Sequence, residues 1–114
     1  MSFVNGLGRK VLINTVCDVA AGFPSSLDFG VFLVSEFAGL LGAVKVDSSQ
    51  NNVARLEFAY QATSGTTIIS SSIPVSSGGC VVNELNAGAY VGVSLSQLNS
   101  ATPVRLFLTG IPIR

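Results

Sequence analysis

Apolar and small residues alternate strictly through Tyr90-Val91-Gly92-Val93-Ser94-Leu95-Ser96. In an extended chain, the three apolar residues that follow the tyrosine would lie on one face, with the glycine and the two serines on the other. A period of two that is rich in β-branched residues is typical of a half-buried strand. This segment therefore predicts a β-strand with one face in a core.

The same alternation recurs along the chain and predicts an all-β fold. Further strands are expected around 11–19, 44–47, 55–60, 68–75 and 104–109, separated by clusters of Gly, Pro, Ser and Asn at 22–26, 48–52, 76–79 and 99–103. Such clusters end strands because Gly, Asn and Ser tolerate turn geometry and Pro lacks an N–H donor. The regular spacing predicts about eight short strands in an antiparallel β-sandwich or jelly-roll-like fold. Little helix is expected, with the best candidates at 35–41 and 82–87.

The length of 114 residues predicts a single β domain over 9–110, with an N-terminal arm at 1–8 and a C-terminal tail at 111–114. The tail is inferred from a change of phase, because the apolar residues are even-numbered up to Leu108 and odd-numbered at Ile111 and Ile113. A β-bulge at Gly110 and a tail that leaves the domain would both explain this change. Pro112 favours the tail, since it cannot donate to a central ladder.

Charge is scarce in this chain. Six Lys and Arg residues balance six Asp and Glu residues, and charged residues make up 11% of the sequence, against about 25% in a typical soluble domain. A net charge of zero supplies no field that attracts phosphates, so no nucleic-acid partner is expected. The most apolar stretch, 27–46, carries Asp28, Glu36 and Lys45 and is not expected to span a membrane. The first residues lack the apolar core of a signal peptide, which predicts synthesis in the host cytoplasm without secretion.

Catalytic chemistry is not predicted. The absence of His removes the usual general base and the commonest transition-metal ligand. The six acids show no spacing that would bring two of them into one cleft, as carboxylate catalysis requires. We therefore expect no enzyme, no cofactor and no metal site. Cys17 and Cys80 could form one disulfide, but two reduced thiols are favoured in a chain without a signal peptide.

Two aromatic residues are candidates for contact with other molecules. Tyr90 follows Gly88 and Ala89 at the start of a predicted strand, where its ring could be exposed to a ligand such as a sugar. Phe107 lies on the face of its strand opposite the apolar residues at 104, 106 and 108. Either that strand is buried on both faces or Phe107 contacts a partner, and the sequence leaves both interpretations open.

The low charge also predicts a surface that serves protein contacts. A small domain normally relies on more charge to stay dispersed, and large apolar patches usually mark contact surfaces. Pro74 predicts an edge strand, because proline is confined to sheet edges, and an edge strand or an arm can bridge to another chain. The candidate interface residues are Phe3, Val4, Leu7, Pro74, Phe107, Ile111 and Ile113.

A short, low-charge β chain rich in Gly, Ser and Val resembles the small accessory proteins of phage virions, above all the capsid decoration or cement proteins. The resemblance spans the whole chain and is one of composition. It implies a non-enzymatic virion protein that stabilises the shell by protein contacts, as a homo-oligomer such as a trimer, seated on a major capsid protein. The alternative is a ligand- or glycan-binding sandwich of a phage tail or receptor-binding apparatus, with Tyr90 as the contact.

Overall fold

Eight β-strands and no helix make up the residues that the computed structural model describes, which are 8–19, 26–46, 54–75, 78–98 and 102–113. In chain order the strands are β1 (Lys10–Val19), β2 (Leu27–Leu33), β3 (Phe37–Val46), β4 (Ala54–Thr63), β5 (Thr66–Val75), β6 (Cys80–Leu85), β7 (Tyr90–Ser96) and β8 (Thr102–Pro112). The all-β class and the number of strands are confirmed. The two helix candidates are wrong, because residues 39–42 of β3 pair with residues 82–85 of β6. A ladder satisfies their backbone groups, whereas a helix of one or two turns is unstable by itself.

The strands form two four-stranded antiparallel sheets. Sheet I has the order β1-β8-β3-β6, and sheet II has the order β2-β7-β4-β5. The chain passes from one sheet to the other at every connection except that between β4 and β5, which form a hairpin. This order is that of a jelly roll. The antiparallel sandwich predicted from the alternation is confirmed.

The core lies between the two sheets and is supplied by the alternating strands. Along β7, Val91, Val93 and Leu95 are fully buried and the residues between them are half-buried. Strands β3, β4 and β8 contribute the same way, with Leu40, Val44, Val46, Leu56, Phe58, Tyr60, Val104, Leu106 and Leu108. The residues that the alternation predicts to point inward on β4, β7 and β8 therefore do face the core between the two sheets.

Residues 111 and 112 extend β8 rather than forming a tail. Ile111 pairs with Gly39, and Pro112 pairs with Phe37 of β3. The change in apolar phase has its counterpart in β3, where the register shifts between Phe37 and Gly39 opposite the end of β8. The change of phase thus accompanies an irregularity of the ladder, as one of the two explanations required, but the irregularity lies in β3 and not at Gly110.

Hydrogen bonds from Asn86 join two turns at one end of the sandwich. Its side-chain amide donates to the carbonyl of Val34 at 2.7 Å and to the carbonyl of Phe37 at 2.9 Å. Its Oδ1 accepts from the N–H of Gly88 at 3.1 Å. The β2–β3 turn and the β6–β7 turn are thereby held together, and each of these turns connects one sheet to the other.

Candidate interaction surfaces

The side chains of sheet I that point away from sheet II form a surface that we call face I. Two rows cross its centre from strand to strand, Asn14–Phe107–Ala43–Val81 and Val16–Arg105–Lys45. A shallow depression of about 590 Å³ lies along these rows. Large apolar side chains are open to solvent here, since Val81 is 72% exposed, Val16 60% and Phe107 39%. Face I therefore offers apolar surface that the chain itself leaves uncovered.

Two cations stand side by side on face I. Lys45 of β3 and Arg105 of β8 are directly opposite each other in the register of their strands, and both are exposed. Neither forms an ion pair with any residue in the described part of the chain. Like charges directly opposite on neighbouring strands are destabilising. A negatively charged group placed over this pair would relieve that repulsion.

A third cation covers the end of face I where β8 finishes. The guanidinium of Arg9 donates to Oγ1 of Thr109 through Nε at 3.0 Å and through Nη2 at 2.9 Å. The hydroxyl of Thr109 donates in turn to the carbonyl of Leu41 at 2.7 Å. Thr109 is buried although it points outward. Arg9 thus belongs to the packed structure of the β domain.

The outward side chains of sheet II form a second surface, which we call face II. Its rows are Asp28–Ser94–Glu57–Ser72, Val31–Gly92–Ala59–Ser70 and Leu33–Tyr90–Gln61–Thr67. Glu57 accepts a hydrogen bond from the hydroxyl of Ser96 at 2.6 Å. Arg55 donates to Oγ of Ser72 through Nε at 3.2 Å and through Nη2 at 2.7 Å. Face II therefore places an acidic row beside a flat row of small residues.

Tyr90 lies in the third row of face II. It begins β7, as the sequence predicted, and its half-buried side chain stands between Leu33 and Gln61 in the register. Leu33 is 60% exposed. Tyr90 is therefore outside the core, and its contact with a ligand stays a prediction.

The predicted interface residues do not form one patch. Pro74 is exposed on β5, which is an edge strand of sheet II as predicted, whereas Phe107 lies on face I of the other sheet. The exposure of Phe107 rules out burial of β8 on both faces within this chain. Ile111 is half-buried, and Ile113 is exposed while its N–H donates to the carbonyl of Glu36 at 2.9 Å. The arm residues Phe3, Val4 and Leu7 lie outside the described residues, and partner contact stays a prediction for all seven.

Tyr60 and Glu84 link the two sheets through the core. Tyr60 of β4 is buried and donates its hydroxyl to Oε1 of Glu84 on β6 at 3.3 Å. Burial raises the pKa of Tyr60 well above its usual value, and the charge and hydrogen bond of Glu84 add to this shift. The pair joins β4 of sheet II to β6 of sheet I.

The two cysteines lie on opposite edge strands of sheet I, Cys17 on β1 and Cys80 on β6. Two strands separate them, so their Cα atoms are about three strand spacings, roughly 14 Å, apart. A disulfide needs Cα atoms within about 7 Å. Cys80 is a free thiol whose pKa is raised by burial. A disulfide between these two residues of one chain is therefore excluded by the strand order.

Within the described ranges, no group of three or more Cys, Asp and Glu side chains is placed to hold a metal ion. Asp28 and Glu57 share face II, but two strand spacings separate them on an open surface rather than in a cleft. No helix in the same part of the chain is long and apolar enough to cross a membrane.

Sequence reasoning missed the cationic pair of face I and the acidic row of face II. Alternation indicates that Lys45, Arg105, Asp28 and Glu57 point outward, but it does not tell which outward residues become neighbours. That depends on strand order and register, which join residues far apart in the sequence. No local signal marks either group.

No protein-family model matches the sequence, and no curated protein matches it. Among solved structures, an appendage protein of Bacillus endospores, from a study that describes a novel family of disulfide-linked pili, is 14% identical, with 93% of this chain and 91% of that chain covered and a TM-score of 0.56. A structure from a study of CBM4 structure and function, a carbohydrate-binding module, is 8% identical, with 97% and 83% covered and a TM-score of 0.51. At such low identity the similarity shows the fold alone. The chain thus has a β-sandwich that occurs in both a structural protein and a binding module.

Proposed function

We propose that this chain is a non-enzymatic structural subunit that acts by binding other protein subunits in a larger assembly. The observation that carries the proposal is face I, where Val16, Val81 and Phe107 are exposed in adjacent rows of one sheet. A contiguous apolar patch on a small domain usually marks a contact surface. With six basic and six acidic residues and no net charge, little electrostatic repulsion opposes association.

The more specific form of the proposal is a capsid decoration or cement subunit of a phage virion. Its support is the resemblance in composition, which suggests a homo-oligomer such as a trimer that sits on a major capsid protein. The fold shared with an endospore appendage protein also supports a structural role, in a fibre rather than in a shell. In either setting the chain would act through buried protein contacts.

Light scattering coupled to size exclusion, from micromolar to millimolar concentration, tests the structural role. The wild-type chain is expected to form oligomers whose mass rises with concentration. Phe107→Ser should weaken association by at least about tenfold, equivalent to roughly 1.4 kcal/mol. The control Ile68→Ser also removes an exposed apolar side chain, but on the edge strand β5, and should weaken association much less than Phe107→Ser does.

The shape of the oligomers also distinguishes a subunit of a capsid shell from a subunit of a fibre. Electron microscopy of concentrated wild-type protein should show closed particles of uniform size for a capsid decoration subunit and linear assemblies for a fibre subunit. A wild-type chain that stays monomeric across the whole concentration range would contradict the structural role itself.

The second candidate is a glycan- or ligand-binding module of a phage tail or receptor-binding apparatus. Tyr90 favours it, because its ring lies on face II beside exposed Leu33 and next to the row that contains Gly92. An aromatic side chain beside small residues leaves room for a sugar ring to stack. The fold shared with a carbohydrate-binding module agrees with this role. Binding on a glycan array that Tyr90→Ala abolishes and Tyr90→Phe retains would support it, and no binding by the wild type would remove it.

A further inference from the structure

We propose that copies of this chain stack face to face, with face I of one copy seated on face II of the next. The inference rests on the proposed function and deepens it, because it names the partner as a second copy and assigns the surfaces that meet. Three observations support it, namely the opposite charges of the two faces, the matching spacing of their charged residues, and the complementary shapes of the rows beside them.

The two faces have opposite charge. Face I presents Lys45 and Arg105 as an exposed pair, and neither of its two central rows contains an acidic residue. Face II presents Asp28 and Glu57 in one row, against the single cation Arg55 among its described residues. Two copies of face I, or two of face II, would bring like charges together. Contact between face I and face II instead pairs cations with carboxylates, which steers and orients association.

The spacing of the charged groups also matches. Lys45 and Arg105 are one strand apart, about 4.8 Å, whereas Asp28 and Glu57 are two strands apart, roughly 10 Å. Two carboxylates at that distance can lie on either side of the cationic pair. The repulsion between Lys45 and Arg105, neither of which forms an ion pair with a described residue, would then be compensated by the second copy.

The rows beside the charged rows are complementary in shape. On both faces the next row lies two residues farther along the strands, or three along β2, where the register shifts, and is about 7 Å away. On face I this row carries the projecting side chains of Phe107 and Val81, and on face II it runs from Val31 through Gly92 and Ala59. The absence of large side chains at Gly92 and Ala59 leaves a flat area on which the Phe107 ring can rest. Stacked sheets pack about 10 Å apart in this way.

The size of the faces is sufficient for a stable contact. The Cα atoms span 43 × 38 × 18 Å, so each face is broad and the sandwich is thin. A specific interface buries about 800 Å² on each partner, which is about half of a surface of these dimensions. Because the two faces lie on opposite sides of one sandwich, a contact between them leaves one face of each copy free. Such a heterologous contact propagates into an open stack rather than closing as a dimer.

Charge reversal on one face at a time tests the stack. The face I variant carries Lys45→Glu and Arg105→Glu, and the face II variant carries Asp28→Lys and Glu57→Lys. Each variant alone should be monomeric where the wild type associates, because its altered face repels the only complementary surface. An equimolar mixture should assemble into a stack in which the two variants alternate, because the intact faces of the two variants complement each other and their altered faces also carry opposite charges. The chain with all four substitutions should assemble again.

A matched control reverses the exposed ion pair of Lys10 and Glu36, whose Nζ and Oε1 atoms are 4.0 Å apart at the end of the sandwich. Lys10→Glu with Glu36→Lys should assemble as the wild type does. Circular dichroism and thermal melting identify any variant that fails to fold. In that case Lys45→Gln with Arg105→Gln replaces the face I variant in the same mixing experiment.

Analytical ultracentrifugation separates the outcomes. Persistent association of either single-face variant, a mixture that stays monomeric, or a wild type that closes into trimers would overturn the stack and leave the structural role standing. A wild type that is monomeric at every concentration would contradict both. Assembly of the mixture but of neither variant alone, together with restored assembly of the fourfold variant, would establish the contact between face I and face II.

Discussion

The ring of Phe37 lies directly over Gly110, and no side chain fits between them. A Cβ atom at residue 110 would be 2.5 to 2.6 Å from three ring carbons of Phe37, which is itself almost completely buried. This contact closes the core where β3 begins and β8 ends. It also explains how β8 continues through a glycine that, in the sequence, looked like a point of interruption.

Gly110→Ala is expected to destabilise the fold by about 1–3 kcal/mol, the usual cost of overpacking a core. The free energy of unfolding in urea measures this. Gly78→Ala is the control, because a Cβ at residue 78 meets nothing within 4 Å. Adding Phe37→Leu to Gly110→Ala should cost less than the sum of the two single changes, because the smaller side chain relieves the clash. Equal stability of the Gly110 and Gly78 variants would show that the ring does not occupy this position.

Asn86→Ala is expected to destabilise the fold by about 1–3 kcal/mol, because the carbonyls of Val34 and Phe37 lose a donor. The control is Asn83→Ala, an exposed position on β6 three residues before Asn86, which should change stability by less than about 0.5 kcal/mol. Thermal melting compares the two variants. Similar melting temperatures would mean that the turns are held together by other contacts.

The raised pKa of Tyr60 predicts a loss of stability in alkali. In the unfolded chain the phenol loses its proton near its ordinary pKa of about 10, whereas in the folded chain it retains the proton to higher pH. The contribution of Tyr60 to the free energy of unfolding is therefore complete below about pH 10, and it decreases as the pH rises above that value. Unfolding in urea at a series of pH values from 8 upward should show this decline in the wild type and in Tyr90→Phe.

Tyr60→Phe should reduce that alkaline decline. At neutral pH it should cost about 0.5–1.5 kcal/mol, because the hydrogen bond to Glu84 is lost. An unchanged alkaline slope in this variant would contradict the assignment of the decline to Tyr60.

The cysteines are expected to form no disulfide within one chain, because β8 and β3 lie between their strands. Oxidation followed by non-reducing electrophoresis and mass spectrometry of the intact chain checks this. Any disulfide that forms should join two chains and disappear in Cys80→Ser or Cys17→Ser. A monomer that is lighter by two hydrogens would contradict the separation of the two edge strands.

The parts of the fold that were predicted correctly depend on local alternation. The inward positions of β7, the edge position of Pro74 and the outward position of Phe107 all follow from period two or from the missing N–H of proline. The segments at 35–41 and 111–112 were misjudged for the same physical reason. Their short local patterns suggested a helix and a tail, but pairing with β6 in the first case and with β3 in the second determined their conformation.

The alternation of side chains is a property of the extended backbone, and so the amino-acid sequence alone was enough to predict an antiparallel sandwich of about eight strands and the inward faces of strands such as β4, β7 and β8. Which outward residues become neighbours depends on pairings between segments that are far apart in the chain. Only the tertiary structure could therefore bring Lys45 next to Arg105, place Asp28 and Glu57 in one row, and put Cys17 and Cys80 on opposite edges. A shift of one residue in any of these pairings would leave every strand recognisable in the sequence and yet change each of these relationships.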